Sequence, residues 1–154
     1  MHSIRSIAFI LAIVLGVVAS AFAQPDAETE ARAALDAYFE AWNAADNDAV
    51  AATSNFPRIS IGGNGQVVVR EDADAIAMDF DLLRRAEGWD HTTLDLVDTL
   101  QVSDDKVHFK VIASRRRADG VAYRTMPALY ILTKQDGHWG LQLQSILPPT
   151  FTAP

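Results

Sequence analysis

The fold class of this 154-residue chain is decided by residues 34–46, Ala-Leu-Asp-Ala-Tyr-Phe-Glu-Ala-Trp-Asn-Ala-Ala-Asp. Over the longer segment 27–45, apolar side chains recur at the spacing of one helix face, and most charged side chains lie opposite. The apolar face consists of Ala31, Leu35, Tyr38, Phe39 and Trp42. We therefore predict a first helix whose aromatic face packs against the remainder of the domain.

A second helix and a hairpin are predicted next along the chain. The helix spans 46–54, is capped at position 46 or 47, and ends before Pro57, since the residue preceding a proline disfavours the helical region. Two β-rich runs, 58–61 and 66–70, flank a glycine-rich turn. Neither a lysine nor a helix follows that turn at the spacing of a phosphate-binding loop, so the pattern favours a hairpin.

A third helix and then four long strands complete the predicted domain. The helix covers 72–86, with Gly88 as its stop. The hydrophobic period then changes to two, which predicts strands over 92–102, 107–117, 121–134 and 138–147. Helices followed by consecutive antiparallel strands indicate an α+β domain, in which a strongly bent sheet wraps around the first helix.

Residues 1–23 have the pattern of a secretory signal rather than of a folded segment. Arg5 precedes an apolar run over 7–19, and Ala21-Phe22-Ala23 provides a small-residue cleavage site. We expect an exported protein, periplasmic or secreted, without a stable membrane anchor after cleavage; an uncleaved N-terminal anchor is the alternative. The predicted domain then covers 24–148, followed by a loose tail, 149–154.

Composition excludes several classes of function. The chain has 13 Lys and Arg against 20 Asp and Glu, a net charge of −7, and no cysteine. Acidic chains do not attract phosphate backbones, so we expect no nucleic-acid partner. Without cysteine there is no disulfide, no thiol nucleophile, no lipidated cysteine and no cysteine-bound zinc. The histidines do not have metal-ligand spacing, so we expect neither a metal nor another cofactor.

The segment 34–46 resembles the first helix of the nuclear-transport-factor-2-like superfamily, which includes SnoaL-type polyketide cyclases and ketosteroid isomerases. The runs 129–133 and 137–140 resemble its last two strands, and the resemblance covers roughly 27–148. It implies a SnoaL-like domain that forms a cone-shaped α+β barrel, with a pocket between the sheet and the helices. Sheet-face dimers are common in this superfamily, so the resemblance also implies a homodimer.

Two chemistries of the superfamily can be compared with this sequence. Matching the isomerase pattern places its tyrosine donor at Tyr38, but its catalytic base falls on Gly62 and its aspartic acid donor on Leu129. The isomerase pattern is therefore rejected. An epoxide-hydrolase set of two aspartates and an arginine could be drawn from Asp95, Asp98 and Arg115, although these acids are also typical of a solvated strand face.

The remaining candidate residues lie on the predicted strands. Arg115 ends the apolar face of its strand, so it could hold a ligand anion or carbonyl, or could pair with an acid at the edge of the core. His91 could act as a general acid or base, or could lie on the rim. For Gln142 and Gln144, alternation predicts an outward face. The resemblance places Gln142 and Ile146 in the pocket, and the choice is open.

Three functions remain. The first is a binding domain for a small apolar-to-amphipathic molecule, with Tyr38, Trp42, His91, Arg115, Gln142 and Gln144 as candidate ligand contacts. The second is an acid–base isomerase, cyclase or hydrolase, which requires His91, Arg115 and Tyr38 to converge on one cavity. The third is a homodimerisation or partner-docking module. The binding function requires an enclosed cavity of about 300 Å³ or more.

Overall fold

The computed structural model describes residues 26–151 of the chain. The predicted secretory signal, 1–23, and the last three residues of the predicted tail, 152–154, lie outside the described residues. Between residues 26 and 151, no helix is long and apolar enough to span a membrane.

Three α-helices and one 3₁₀ turn occupy the first half of the described segment. They are α1 (Ala27–Asn43), α2 (Asn47–Ala52), the 3₁₀ turn Ala73–Ile76 and α3 (Phe80–Glu87). An aspartate precedes each one, and its side chain accepts a hydrogen bond from a backbone N–H of the first turn. The four caps are Asp26, Asp46, Asp72 and Asp79. They satisfy N–H groups that have no partner inside a helix.

The prediction of one continuous helix over 72–86 is wrong, because this segment is divided between the 3₁₀ turn and α3. Ala77 leaves the turn with φ −48° and ψ 121°, and Asp79 begins a new helix by accepting from the Leu82 N–H at 2.7 Å. The predicted stop is confirmed: Gly88 follows α3 with a φ of 70°, a conformation that glycine adopts without a steric cost.

Within residues 26–151, seven strands form one sheet. They are β1 (Ser54–Ile61), β2 (Val67–Arg70), β3 (His91–Ser103), β4 (Lys106–Arg116), β5 (Ala122–Gln135), β6 (His138–Ile146) and β7 (Thr150–Phe151). The strand order is β2-β1-β6-β5-β4-β3, and β7 pairs with β5. The end strands β2 and β3 do not pair with each other, so the sheet curls around α1 without closing. The predicted α+β class, with a bent sheet around the N-terminal helices, is confirmed.

Details of the sheet differ from the prediction at both ends of the domain. The pair β1–β6 is parallel, whereas all the other recorded pairs are antiparallel. β1 begins at Ser54, within the segment predicted as the end of the second helix, and the Asn55 side-chain amide there donates to a β5 carbonyl at 2.7 Å. In the predicted loose tail, 149–154, Thr150–Phe151 forms a short strand instead.

The core lies between α1 and the concave face of the sheet. On α1 it contains Ala31, Leu35, Tyr38, Phe39 and Ala41. On β4 it contains the alternating residues Val107, Phe109, Val111 and Ala113. Trp42 is half-buried rather than fully buried and links this core to a second cluster formed by Phe80, Leu83, Trp89 and Tyr123. Continued alternation on β4 places Arg115 at the end of the core.

Candidate functional site

A small cavity lies beneath α1 on the concave side of the sheet, and we call it the inner cavity. It contains about 70 Å³ of free space, less than the roughly 300 Å³ at which typical ligand pockets begin. The lining residues are Tyr38, Phe39, Trp42, Thr92, Ala113, Arg115, Met126, Tyr130, Gln144 and Ile146. The space inside the curled sheet is therefore largely filled, and the expected cavity of about 300 Å³ or more is not found there within residues 26–151. The remaining space admits only a small molecule or part of a larger one.

Arg115 lines the inner cavity and is paired with an acid at the edge of the core, so the structure supports the second of the two interpretations of this residue. A role in holding a ligand stays a prediction. Its Nη1 donates to Glu87 Oε2 at 2.7 Å, and the Arg115 side chain is only 14% exposed. Glu87 also accepts from the hydroxyl of Tyr123 at 3.0 Å and from Arg124 at 3.5 Å. Arg115 therefore carries a neutralised charge at the wall of the cavity.

The protonation states of Glu87 and Tyr123 follow from their surroundings. Burial alone would raise the pKa of Glu87. The hydrogen bond and positive charge of Arg115, together with the Tyr123 hydrogen bond and the charge of Arg124, outweigh burial and leave this pKa below its ordinary value. Burial and the neighbouring Glu87 carboxylate raise the pKa of Tyr123 to about 12. At neutral pH, Glu87 is consequently an anion and Tyr123 a hydrogen-bond donor.

Two tyrosines bring hydroxyl groups to the inner cavity. Burial, and then the neighbouring Tyr38, raise the pKa of Tyr130, so its hydroxyl keeps its proton at neutral pH. For residues 26–151, no hydrogen-bond partner of the Tyr130 hydroxyl is recorded. Tyr38 lies in α1, and its hydroxyl accepts a hydrogen bond from Arg58 Nη2 at 2.9 Å. Tyr38 was a candidate from its place in the helix face, whereas Tyr130 was not, because it belongs to an uninterrupted apolar run.

A β-bulge in β6 determines which glutamine faces the cavity. Ile131 pairs with Leu143 while its neighbour Leu132 pairs with Leu141, so β6 has one extra residue at this point. The extra residue reverses the alternation, and Gln144 lines the inner cavity. Gln142 accepts from Thr133 and Gln135 and donates to the Pro57 carbonyl at 3.0 Å. It is not among the cavity-lining residues.

His91 is the other candidate that does not reach the inner cavity. Strand alternation turns the next residue, Thr92, into the cavity, whereas His91 contacts Asp90 with 2.8 Å between Nδ1 and Oδ2 and is 38% exposed. An acid–base site built from His91, Arg115 and Tyr38 requires the three side chains to converge on one point. They do not, because His91 lies outside the inner cavity.

The possible epoxide-hydrolase residues, Asp95, Asp98 and Arg115, do not lie together either. Asp95 pairs with Arg116 at 3.3 Å, and Asp98 with Lys110 at 3.6 Å, on the strand face opposite to Arg115. Among residues 26–151, no group of three or more histidine, aspartate or glutamate side chains is arranged to hold a metal ion.

A second cavity, which we call the arginine cavity, adjoins the inner cavity and also contains about 70 Å³ of free space. It is lined by Tyr38, Trp42, Val50, Arg58, Ser60, Arg70, Ile76, Met78 and Gln144. The two cavities share Tyr38, Trp42 and Gln144. The two cavities are therefore neighbours, with these three side chains bordering both.

Arg58 is a functional candidate that sequence analysis missed. It lies in β1, is 4% exposed, and donates to three neutral oxygen atoms, which belong to Ser54, Tyr38 and Gln144 at 2.9–3.0 Å. Its guanidinium carbon lies 4.8 Å from the centre of the Tyr38 ring. A buried charge is usually stabilised by a carboxylate, but in residues 26–151 no acidic side chain pairs with Arg58.

The comparison with protein families agrees with this architecture. The model of the family described as "NTF2-like protein (DUF6841)" matches residues 27–143. The resemblance to the nuclear-transport-factor-2-like superfamily is thereby confirmed. None of the proteins with a curated description matches the chain.

Solved structures with the same fold include proteins from several bacteria. A protein of unknown function with a cystatin-like fold from Nostoc punctiforme has a TM-score of 0.62 at 14% identity, covering 78% of this chain and 89% of that one. A ketosteroid isomerase-like protein from Erwinia carotovora atroseptica has a TM-score of 0.56 at 24% identity, covering 79% and 96%. An NTF2-like protein from Novosphingobium aromaticivorans has a TM-score of 0.61 at 13% identity, covering 78% and 80%. At these identities the similarity concerns the fold alone.

Proposed function

Because the chain belongs to the NTF2-like family DUF6841, whose fold hosts many unrelated activities, its function has to be argued from its own cavity. We propose that it binds a compact amphipathic molecule in the inner cavity. The observation that carries this proposal is the composition of the wall, in which Arg115, Tyr130 and Gln144 bring polar groups into surroundings that are otherwise mainly apolar and aromatic.

The chemistry of these polar groups favours a ligand with a hydrogen-bond acceptor. The guanidinium of Arg115 has donors only, and the side-chain amide of Gln144 has N–H donors while its oxygen already accepts from Arg58. The Tyr130 hydroxyl also has a proton to donate. A hydroxyl or carbonyl oxygen on a small apolar body would match this wall. An apolar cavity of about 150 Å³ holds a six-carbon ring, so a ligand of that size has to extend from the inner cavity into the neighbouring arginine cavity, each of about 70 Å³.

Isothermal titration calorimetry with hexan-1-ol tests the binding function. Saturable binding is expected for the wild type and not for Ala113→Leu, since the larger side chain fills the inner cavity. The matched control is Ile112→Leu, a change on the preceding residue of β4, which does not line either cavity. Equal binding by all three proteins, or no saturable binding by the wild type, would contradict the proposal.

Export and a homodimeric state are further parts of the proposal. Export is supported by the apolar run 7–19 and the cleavage pattern Ala21-Phe22-Ala23. The homodimer is supported by the superfamily resemblance. Neither affects the argument for the cavity, which concerns one copy of the domain.

A further inference from the structure

Arg58 presents a buried positive charge whose recorded partners are all neutral. Three hydrogen bonds connect its terminal nitrogens to neutral oxygens, and its Nε has no hydrogen-bond partner in the described structure. A guanidinium has five N–H donors, so these bonds leave two of them, including the one on Nε, without an acceptor. The environment supplies polar contacts and an aromatic face but not a counter-charge.

Arg70 adds a second positive charge to the same wall. It is the register partner of Arg58 across the β1–β2 pair, so both side chains belong to the same face of the sheet. Its Nη1 donates to the Ser60 hydroxyl at 3.3 Å. Like charges directly opposite each other destabilise a sheet. The residues lining the arginine cavity include these two arginines and neither aspartate nor glutamate.

We propose that the arginine cavity binds the carboxylate of a compact monocarboxylic acid, whose apolar body passes Trp42 into the inner cavity. This inference rests on the proposed binding function and specifies its ligand class. A carboxylate oxygen can accept a charge-assisted bond from an unused N–H of Arg58. A parallel pair of bonds would in addition require Nη2, whose two protons are donated to Tyr38 and Gln144. The Tyr38 hydroxyl and the Gln144 amide, which belong to both cavities, have protons of their own to donate to the same carboxylate.

Arg124 provides the internal comparison for this assignment. Its Nε also has no recorded hydrogen-bond partner within the described residues, but its Nη1 lies 3.5 Å from Glu87 Oε1. Arg115 is paired with the same carboxylate. An unpartnered Nε alone therefore does not distinguish Arg58; its burial without an acidic partner does.

The test is isothermal titration calorimetry at pH 7 with hexanoate and hexan-1-ol, which share one apolar chain and differ in charge. We expect the wild type to bind hexanoate roughly tenfold to a hundredfold more tightly than hexan-1-ol, the range that a charge-assisted hydrogen bond supplies. Arg58→Gln is expected to remove this preference, because it should weaken hexanoate binding far more than hexan-1-ol binding. Arg124→Gln is the matched control and is expected to keep the preference.

The outcomes separate this inference from the broader function. Equal wild-type affinity for the acid and the alcohol would overturn the carboxylate assignment and leave the cavity's binding function intact. If Arg58→Gln weakens the binding of both probes equally, the assignment is also overturned, because Arg58 would then support the shape of the cavity rather than contact the carboxylate. Absence of saturable binding of either probe would instead reject the binding function. If Arg58→Gln does not fold, Arg58→Lys is expected to weaken hexanoate binding alone, since lysine lacks the guanidinium fork.

Discussion

Removal of the Trp42 side chain should unfold the domain more easily, because this residue connects its two hydrophobic clusters. The indole ring lies 5.1 Å from the ring of Phe80, 6.5 Å from that of Trp89 and 6.4 Å from that of Tyr38, measured between ring centres. Truncation of a buried tryptophan to alanine costs about 3–5 kcal/mol. Trp42 is only half-buried and borders two existing cavities, so we expect the lower end of this range, about 3 kcal/mol.

Urea unfolding followed by circular dichroism measures this loss for Trp42→Ala. Trp42→Phe is expected to recover more than half of it, since a phenyl ring keeps part of the contact with Phe80 and Trp89. Leu100→Ala is the control, because Leu100 is 55% exposed and should change stability by less than about 0.5 kcal/mol. A loss below about 1 kcal/mol in Trp42→Ala would refute the assignment of this helix face to the core.

Three further predictions concern other parts of the chain. The Glu87→Gln variant should be less stable than the wild type by about 1–2 kcal/mol at pH 7. Because folding lowers the pKa of Glu87, this difference should be present above its ordinary pKa of 4.5 and shrink as the pH falls below it. A pH-independent difference in urea titrations would count against the ion cluster. Asp79→Ala should cost about 1 kcal/mol through loss of the cap of α3, whereas Asp104→Ala, in a turn, should be close to neutral in thermal melts. N-terminal sequencing of the protein from its host's envelope should begin at Gln24; a chain beginning at Met1 would indicate the uncleaved anchor.

The elements that sequence analysis predicted well have local determinants. The first helix has an apolar stripe within one segment, and the long strands are joined by turns whose residues accept left-handed backbone angles. Asp136 and Gly137, for example, have φ values of 51° and 83°, the pattern of a tight hairpin. Strand bounds for β3 to β6 consequently agree with the structure to within one or two residues.

Non-local pairing accounts for much of what was missed in the fold. β1 pairs with β6 in parallel, and the segment that joins them contains most of the domain, so no turn signal indicates this contact. The break between the 3₁₀ turn and α3 has a different origin. Asp79 is compatible with a helix interior by periodicity, but its carboxylate caps a new helix instead.

The site was only partly predictable for related reasons. Tyr38 and Trp42 lie on the apolar face of α1, and Arg115 ends the apolar face of β4, so helical spacing and strand alternation place them beside the cavity. Gln144 depends on a bulge that shifts the register of β6, and alternation counted along the sequence cannot detect it. Arg58 occupies a position that alternation groups with Ser60 as a polar face, which is usually solvated. Only the covering of β1 by other elements turns it into a buried charge.

The most direct measurement of the central claim is the NMR spectrum of the arginine Nε–H groups during a titration with hexanoate. The structure leaves the Nε groups of Arg58 and Arg124 without hydrogen-bond partners among the described residues, but places only Arg58 at the proposed carboxylate site. The account predicts that the Arg58 signal moves with the added acid, saturates at the calorimetric affinity, and does not respond to hexan-1-ol in the same way, while the Arg124 signal stays in place. An Arg58 signal unchanged at saturating hexanoate would contradict the account.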